Sequence, residues 1–84
     1  MTTSLIYVYP NPTSGLVEVY SSNEKVEILS CEVFDIVGTK LLTTVETLPA
    51  TSLQLNLSKI ESGTYIIEVK LSNQDVERFT IVKF

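Results

Sequence analysis

The sequence predicts an all-β fold, a two-layer sandwich of about seven short antiparallel strands. Short apolar runs are separated by turn residues, and the chain is rich in Val, Ile, Leu, Thr and Tyr, which favour strands. No segment shows convincing helical spacing. Its 84 residues make one domain, 1–84, because a second core would have too few residues. Residues 1–4 are expected to be a linker or a vector-derived remnant.

The first two strands are expected on either side of a proline-rich turn. Residues 5–9 form an apolar run that stops where two prolines remove backbone donors and restrict the chain. Residues 16–21 form the next apolar run. The residues expected to fix the crossing between these strands are Pro10, Asn11, Pro12 and Gly15.

The third and fourth strands are expected to form a hairpin. Residues 26–36 are long for one straight strand, so the sequence predicts a bulge or bend within them. Asp35 can accept a hydrogen bond from backbone two or three residues on, and Gly38 can adopt positive φ. Residues 40–47 are the expected return strand, and residues 48–51 the expected connection to the next.

The last three strands show the clearest alternation. Within residues 53–58 the three leucines share one face, the period of a half-buried strand. A turn ending at Gly63 precedes a strand at 64–71, in which Tyr65 begins the apolar face, and residues 76–84 are the last strand. Together these segments fit an immunoglobulin-like sandwich, although the Cys and Trp signature of antibody domains is missing.

Composition argues against an enzyme and against bound metals or cofactors. The chain has no histidine and a single cysteine, so it lacks the commonest general base and cannot build a multi-thiolate zinc site. Cys31 is expected to be a small buried hydrophobe. A calcium site at Asp35 or Asp75 lacks the usual multi-Asp spacing. With a net charge of -4 and no basic stripe, neither nucleic-acid binding nor direct membrane insertion is expected.

Three motifs, in order, resemble the type A C-terminal sorting domain of the type IX secretion system. The first is Tyr-Pro-Asn-Pro followed by Thr-Ser-Gly at residues 9–15, and the second is Phe-Asp-Ile-Val-Gly at residues 34–38. The third is Gly-Thr-Tyr at residues 63–65. Residues 78–84 are similar to the short, partly basic final strand of that family. The resemblance covers nearly the whole chain.

This resemblance implies a non-catalytic sorting signal, fused to a secreted cargo protein of a Bacteroidetes-type bacterium. Such a domain directs its N-terminal cargo from the periplasm across the outer membrane, through a translocon and shuttle proteins. A sortase-like cysteine peptidase then removes it, and the cargo is attached to the cell surface or released. The expected location is therefore the periplasm, in transit to the cell surface or the medium.

The final strand is the candidate for recognition by this machinery. Edge strands carry unpaired backbone groups that can pair with another chain. The candidate residues are Thr80, Ile81, Val82, Lys83 and Phe84. The alternative to recognition is that the final strand has only a structural role.

A rival hypothesis is a generic immunoglobulin-like interaction or carbohydrate-binding module. It predicts exposed aromatic side chains grouped on one face. The residues that could offer such stacking faces are Tyr7, Tyr9, Tyr20 and Tyr65, for which packing in the core or on a sheet face is the favoured interpretation.

Overall fold

The computed structural model describes residues 5–84, with the backbone alone described for residues 42–49. Strands alternate with short turns along this whole range. The strands are β1 Ile6–Tyr9, β2 Leu16–Ser21, β3 Ile28–Asp35, β4 Lys40–Ala50, β5 Ser52–Asn56, β6 Gly63–Leu71 and β7 Val76–Lys83. The predicted all-β fold is confirmed.

The strands form two antiparallel sheets that pack face to face. The smaller sheet has the order β1-β2-β5, and the larger sheet has the order β4-β3-β6-β7. Strand β4 therefore pairs with β3 and leaves the smaller sheet with three strands. Both edges of the larger sheet, β4 and β7, come from chain segments that are far apart in sequence.

Alternating side chains supply the core between the sheets. The three leucines of residues 53–57 are at most 5% exposed, which confirms that they share the buried face. Each buried aliphatic side chain of this size contributes about 1.5–3 kcal/mol relative to exposure. The buried core residues are Ile6, Val17, Val19, Val26, Ile28, Cys31, Val33, Leu53, Leu55, Leu57, Tyr65, Ile67, Val69, Leu71 and Ile81. Cys31 is buried, as the sequence predicts.

The long third segment is irregular, as predicted from its length. Register shifts occur between Ile28 and Ser30 and again between Val33 and Phe34. The first shift affects pairing with both neighbours of β3, whereas the second affects pairing with β4 alone. The strand ends at Asp35, earlier than expected.

The predicted connection at 48–51 is wrong. Strand β4 continues to Ala50, which pairs with Ile28, so Pro49 lies inside a strand. Proline is tolerated there because β4 is an edge strand, where a missing N–H need not cost a ladder hydrogen bond.

None of the described residues forms a helix that could span a membrane.

Tyr65 closes the loop between the two sheets at the start of β6. The residue is 8% exposed, and its hydroxyl donates a hydrogen bond to the Glu61 carbonyl at 2.5 Å. Immunoglobulin-like sandwiches commonly place a tyrosine near the start of the sixth strand, bonded to backbone a few residues upstream. The loop that ends at Gly63 is thereby tied to the core.

Candidate recognition surface

The final strand divides its side chains between the core and solvent. Ile81 is fully buried and Lys83 is 9% exposed, whereas Val82 and Phe84 are 40% and 67% exposed. Thr80 is also exposed. Of the five candidate recognition residues, Thr80, Val82 and Phe84 are therefore available to a partner through their side chains.

The proline-rich turn lies along the outer edge of this strand. The Asn11 side-chain amide donates to the Thr80 carbonyl, and its oxygen accepts from the Val82 N–H, both at 2.9 Å. The Thr13 N–H donates to the Val82 carbonyl at 2.9 Å, and the Phe84 N–H donates to the Thr13 carbonyl at 3.0 Å. Residues 11–13 thus act as a short added strand, with a parallel bridge between Thr13 and Lys83.

This pairing changes the expectation that the end of β7 offers unpaired backbone groups. The Thr80 carbonyl, both backbone groups of Val82 and the Phe84 N–H already have partners within the chain. The physical reason is that the unpaired N–H and C=O groups of a sheet edge form hydrogen bonds with a neighbouring chain segment. Here the proline-rich turn lies beside β7 and supplies the partners. Recognition of residues 80–84 remains a prediction, and exposed side chains are its available contacts.

Thr13 is a structural residue that the sequence did not single out. Its side chain is 1% exposed, its hydroxyl accepts from the Gly15 N–H at 3.0 Å, and the same hydroxyl donates to the Leu16 carbonyl at 2.6 Å. Its place next to Pro12 in a tight turn is the one sequence signal for this role. Thr13 therefore fixes the turn from inside.

Gly15 is required by a close approach to the loop after β5. A Cβ at this position would lie 3.1 Å from Cβ of Ser58 and 3.3 Å from its Cα, tighter than ordinary contact. The Gly15 carbonyl accepts from the Leu57 N–H at 2.8 Å. The turn is thus anchored to both sheets, through Leu57 on one side and Val82 on the other.

The hairpin between β3 and β4 is built on Asp35. Its Oδ1 accepts from the N–H groups of Val37 at 3.1 Å and Thr39 at 2.8 Å, two and four residues on. Gly38 has a φ of 96°, which glycine adopts without steric cost. The tip of this hairpin exposes apolar side chains to solvent, since Ile36 and Val37 are 74% and 82% exposed.

A row of charged side chains, which we call the charged row, crosses the outer face of the larger sheet. Glu32 forms ion pairs with Lys40 and, at 3.4 Å, with Lys70. Glu68, opposite Glu32 in the ladder, pairs with Arg78 at 2.9 Å. Each carboxylate thus has its own cation, which offsets the repulsion between two facing glutamates.

The surroundings of Glu32 favour its ionised form. A hydrogen bond from Lys40 lowers the pKa of Glu32, burial opposes this in part, and the charges of Lys40 and Lys70 lower it further. The net result is a pKa below the ordinary value of 4.5. The carboxylate therefore stabilises the folded state at neutral pH.

The outer face of the smaller sheet carries exposed tyrosines, and we call it the tyrosine face. Tyr7, Tyr9 and Tyr20 are 52%, 50% and 42% exposed, and the rings of Tyr7 and Tyr20 lie 6.4 Å apart. Glu18 lies opposite Tyr9, and Gln54 lies opposite Glu18 on the far strand. Three tyrosines therefore pack on a sheet face, whereas Tyr65 packs in the core.

The acidic side chains and Cys31 are the candidate metal ligands among the described residues. Among them, no group of three or more Cys, Asp or Glu side chains is placed to hold a metal ion. Cys31 is buried in the sheet interface.

Comparison with known proteins identifies the family. The model of the family described as "Secretion system C-terminal sorting domain" matches residues 7–83, nearly the whole chain. The chain belongs to this family. The resemblance to type IX sorting domains seen in the sequence is confirmed.

A solved structure supports the fold of this sorting domain. A DUF3244 family protein from Bacteroides vulgatus ATCC 8482, with an immunoglobulin-like β-sandwich fold, is similar with a TM-score of 0.76 at 10% identity. The match covers 95% of the sorting domain and 85% of that chain. A likeness at this identity concerns the fold alone. No match was found among curated proteins.

Removing the Asn11 amide should loosen the end of β7. We expect Asn11→Ala to lower the free energy of unfolding by about 1–2 kcal/mol, because two exposed hydrogen bonds are lost. Urea denaturation measures this, and hydrogen exchange of the Val82 amide should accelerate. Gln54→Ala, which removes an amide from the outer face of β5, is the control, with an expected change within about 0.5 kcal/mol. Equal losses in the two variants would contradict the role given to Asn11.

The ion pairs of Glu32 predict a specific dependence of stability on pH. Because the folded pKa is lowered, the stabilisation is present above 4.5 and is lost as pH falls through the lowered value. We expect Glu32→Gln to lower the melting temperature at neutral pH, with a difference from the native chain that shrinks as the pH falls below 4.5. Glu24→Gln, at an exposed turn, is the control. A difference that stays constant over this range would show that the charge of Glu32 is not responsible.

Proposed function

We propose that this domain is the export signal of a larger cargo protein, recognised in folded form by the outer-membrane translocon and shuttle proteins of the type IX system. The observation that carries the proposal is the family match over residues 7–83. The described residues expose the charged row, the tyrosine face and the turn beside the final strand. No metal cluster is found among their side chains, and this combination supports a recognition role. The cargo lies on the N-terminal side, and residues 1–84 form the single sorting domain.

Processing completes the proposed role. A sortase-like cysteine peptidase removes the domain after passage through the outer membrane, and the cargo is attached to the cell surface or released. The domain itself supplies no catalytic group and is a substrate in this step. Its proposed location is the periplasm, followed by the cell surface or the medium.

Point substitutions are a better test of recognition by the final strand than truncation, because residues 11–13 pair with this strand. Deleting residues 80–84 would remove the fully buried Ile81 and the partners of Asn11 and Thr13. Loss of a core side chain of this kind costs about 2–5 kcal/mol, a large share of the stability of a small domain. Truncation would therefore confuse lost folding with lost recognition.

Fusion to a reporter tests the proposed function. A signal peptide, a reporter and residues 1–84 are joined in that order and produced in a type IX host and in the same host without the translocon. We expect the reporter at the surface or in the medium of the first host, and in the periplasm of the second. A released reporter should be smaller than the full fusion by roughly the 9.4 kDa of this chain. Retention of the reporter in the intact host would overturn the proposal.

The tyrosine face favours one second candidate, glycan binding. The rival hypothesis predicts exposed aromatic side chains on one face, and Tyr7, Tyr9 and Tyr20 form such a group. Aromatic faces beside an amide and a carboxylate, here Gln54 and Glu18, suit a neutral or weakly basic oligosaccharide. This activity is compatible with a sorting role, because the face lies on the opposite sheet from the charged row.

Titration of the purified domain with oligosaccharides tests the second candidate. If the tyrosine face binds a glycan, Tyr7→Ala and Tyr20→Ala should each weaken binding by about tenfold, since each removes an aromatic contact worth about 0.5–1.5 kcal/mol beyond its buried area. Val76→Ala, at an exposed position of β7, is the control and should bind normally. Absence of binding by the native domain across a broad glycan panel would remove this candidate.

A further inference from the structure

An uncharged region borders the charged row on the outer face of the larger sheet. Phe34, Ile66 and Thr80 are aligned across β3, β6 and β7 in the strand register. Phe34 and Ile66 are half-buried and Thr80 is exposed. In the next row toward the turn, Thr64 lies opposite Val82. This end of the sheet therefore presents apolar and hydroxyl groups to solvent.

The proline-rich turn extends this uncharged region beyond the edge of the sheet. The bridge between Thr13 and Lys83 joins two residues whose side chains point inward, at 1% and 9% exposure. The residues on either side of the bridge are exposed on both chain segments. These are Pro12 and Ser14 on the turn and Val82 and Phe84 on the final strand, all of them exposed.

The charged row presents mainly positive charge, although the chain as a whole carries a net charge of -4. The side chains of Lys40, Lys70 and Arg78 are 52%, 51% and 65% exposed. The carboxylate side chains beneath them, Glu32 and Glu68, are 9% and 16% exposed. A partner approaching this face therefore meets cations first.

We propose that the turn and the final strand form one composite docking surface, rimmed by the cations of the charged row, for a protein partner of complementary chemistry. The partner presents an apolar patch bordered by acidic side chains. This inference rests on the proposed function and specifies how the export machinery contacts the domain. The surface consists of Pro12, Ser14, Phe34, Ile66, Thr80, Val82 and Phe84, and its rim of Lys40, Lys70 and Arg78.

The layout of the surface matches what protein interfaces require. Apolar groups at the centre are removed from water on binding, while a charged rim contributes to orientation and to the association rate. The tyrosine face differs in sign, because Glu18 is the charged residue on its strands β1, β2 and β5. An acidic partner is therefore attracted to the larger sheet and not to the smaller one.

Four substitutions with matched controls test the composite surface in the reporter fusion. Ser14→Glu and Val82→Glu each place a carboxylate in the uncharged region, one on each chain segment. Their controls, at exposed positions outside the surface, are Ser22→Glu and Leu16→Glu. Arg78→Gln and Lys70→Gln each remove a rim cation, and Lys25→Gln at an exposed turn is their control.

We expect Ser14→Glu and Val82→Glu each to reduce export by about tenfold or more, because an uncompensated charge is buried against an apolar and acidic partner. The rim variants should reduce export by about twofold to fivefold, and the control variants should remain within about twofold of the native domain. Melting of each purified domain shows which variants stay folded, and only these are compared. If Ser14→Glu unfolds the domain, Ser14→Asp replaces it, because it adds the same charge on a shorter side chain, with Ser22→Asp as control.

The outcomes separate this inference from the proposed function. Loss of export in Val82→Glu with normal export in a folded Ser14→Glu would overturn the composite surface and leave the final strand as the contact. A loss in Leu16→Glu as large as that in Val82→Glu would also overturn it, because the effect would not be localised. If the native fusion is itself not exported, the proposed function has failed, and the composite surface fails with it.

Discussion

The hydrogen bonds between residues 11–13 and residues 80–84 are the constraint on which the rest of the structure depends. The Asn11 side chain makes two of them, across separations of 69 and 71 positions, and the Thr13 backbone makes two more. The same turn contacts the smaller sheet, because the Gly15 carbonyl accepts from Leu57. One short segment thus fastens the edge of the larger sheet to the smaller sheet, and it covers an edge that would otherwise pair with other chains.

This constraint explains why the first and last motifs of the sequence belong to one structural unit. The prolines at residues 10 and 12 leave the backbone without two donors, so side chains and the few remaining groups must satisfy the edge. The Asn11 amide has one donor side and one acceptor side, which matches the alternating C=O and N–H of an exposed strand. A residue such as leucine or serine at this position would not reproduce both bonds.

The two outer faces divide the molecule into chemically different surfaces. The larger sheet places Glu32 and Glu68 beneath exposed cations, whereas the smaller sheet exposes tyrosines around a single glutamate. Lysine and arginine side chains reach solvent from a sheet face more easily than the shorter glutamate does, which gives the larger sheet its positive rim. Net charge therefore describes this domain poorly, and the sign of each face decides which partner it attracts.

The sequence by itself determined the alternating buried faces and the turn at Asp35, but not the extent of β4 through Ala50 or the burial of Thr13. The leucines of residues 53–57 and the apolar face of β6 follow from a period of two, and the Asp35 hairpin follows from local hydrogen bonding. Strand partners beyond this hairpin were decided by the tertiary structure: β2 pairs with β5, β3 pairs with β6, and the turn at residues 11–13 pairs with β7. Alternation and turn chemistry act over a few residues, whereas the choice of sheet and edge depends on segments that meet only after the core has formed.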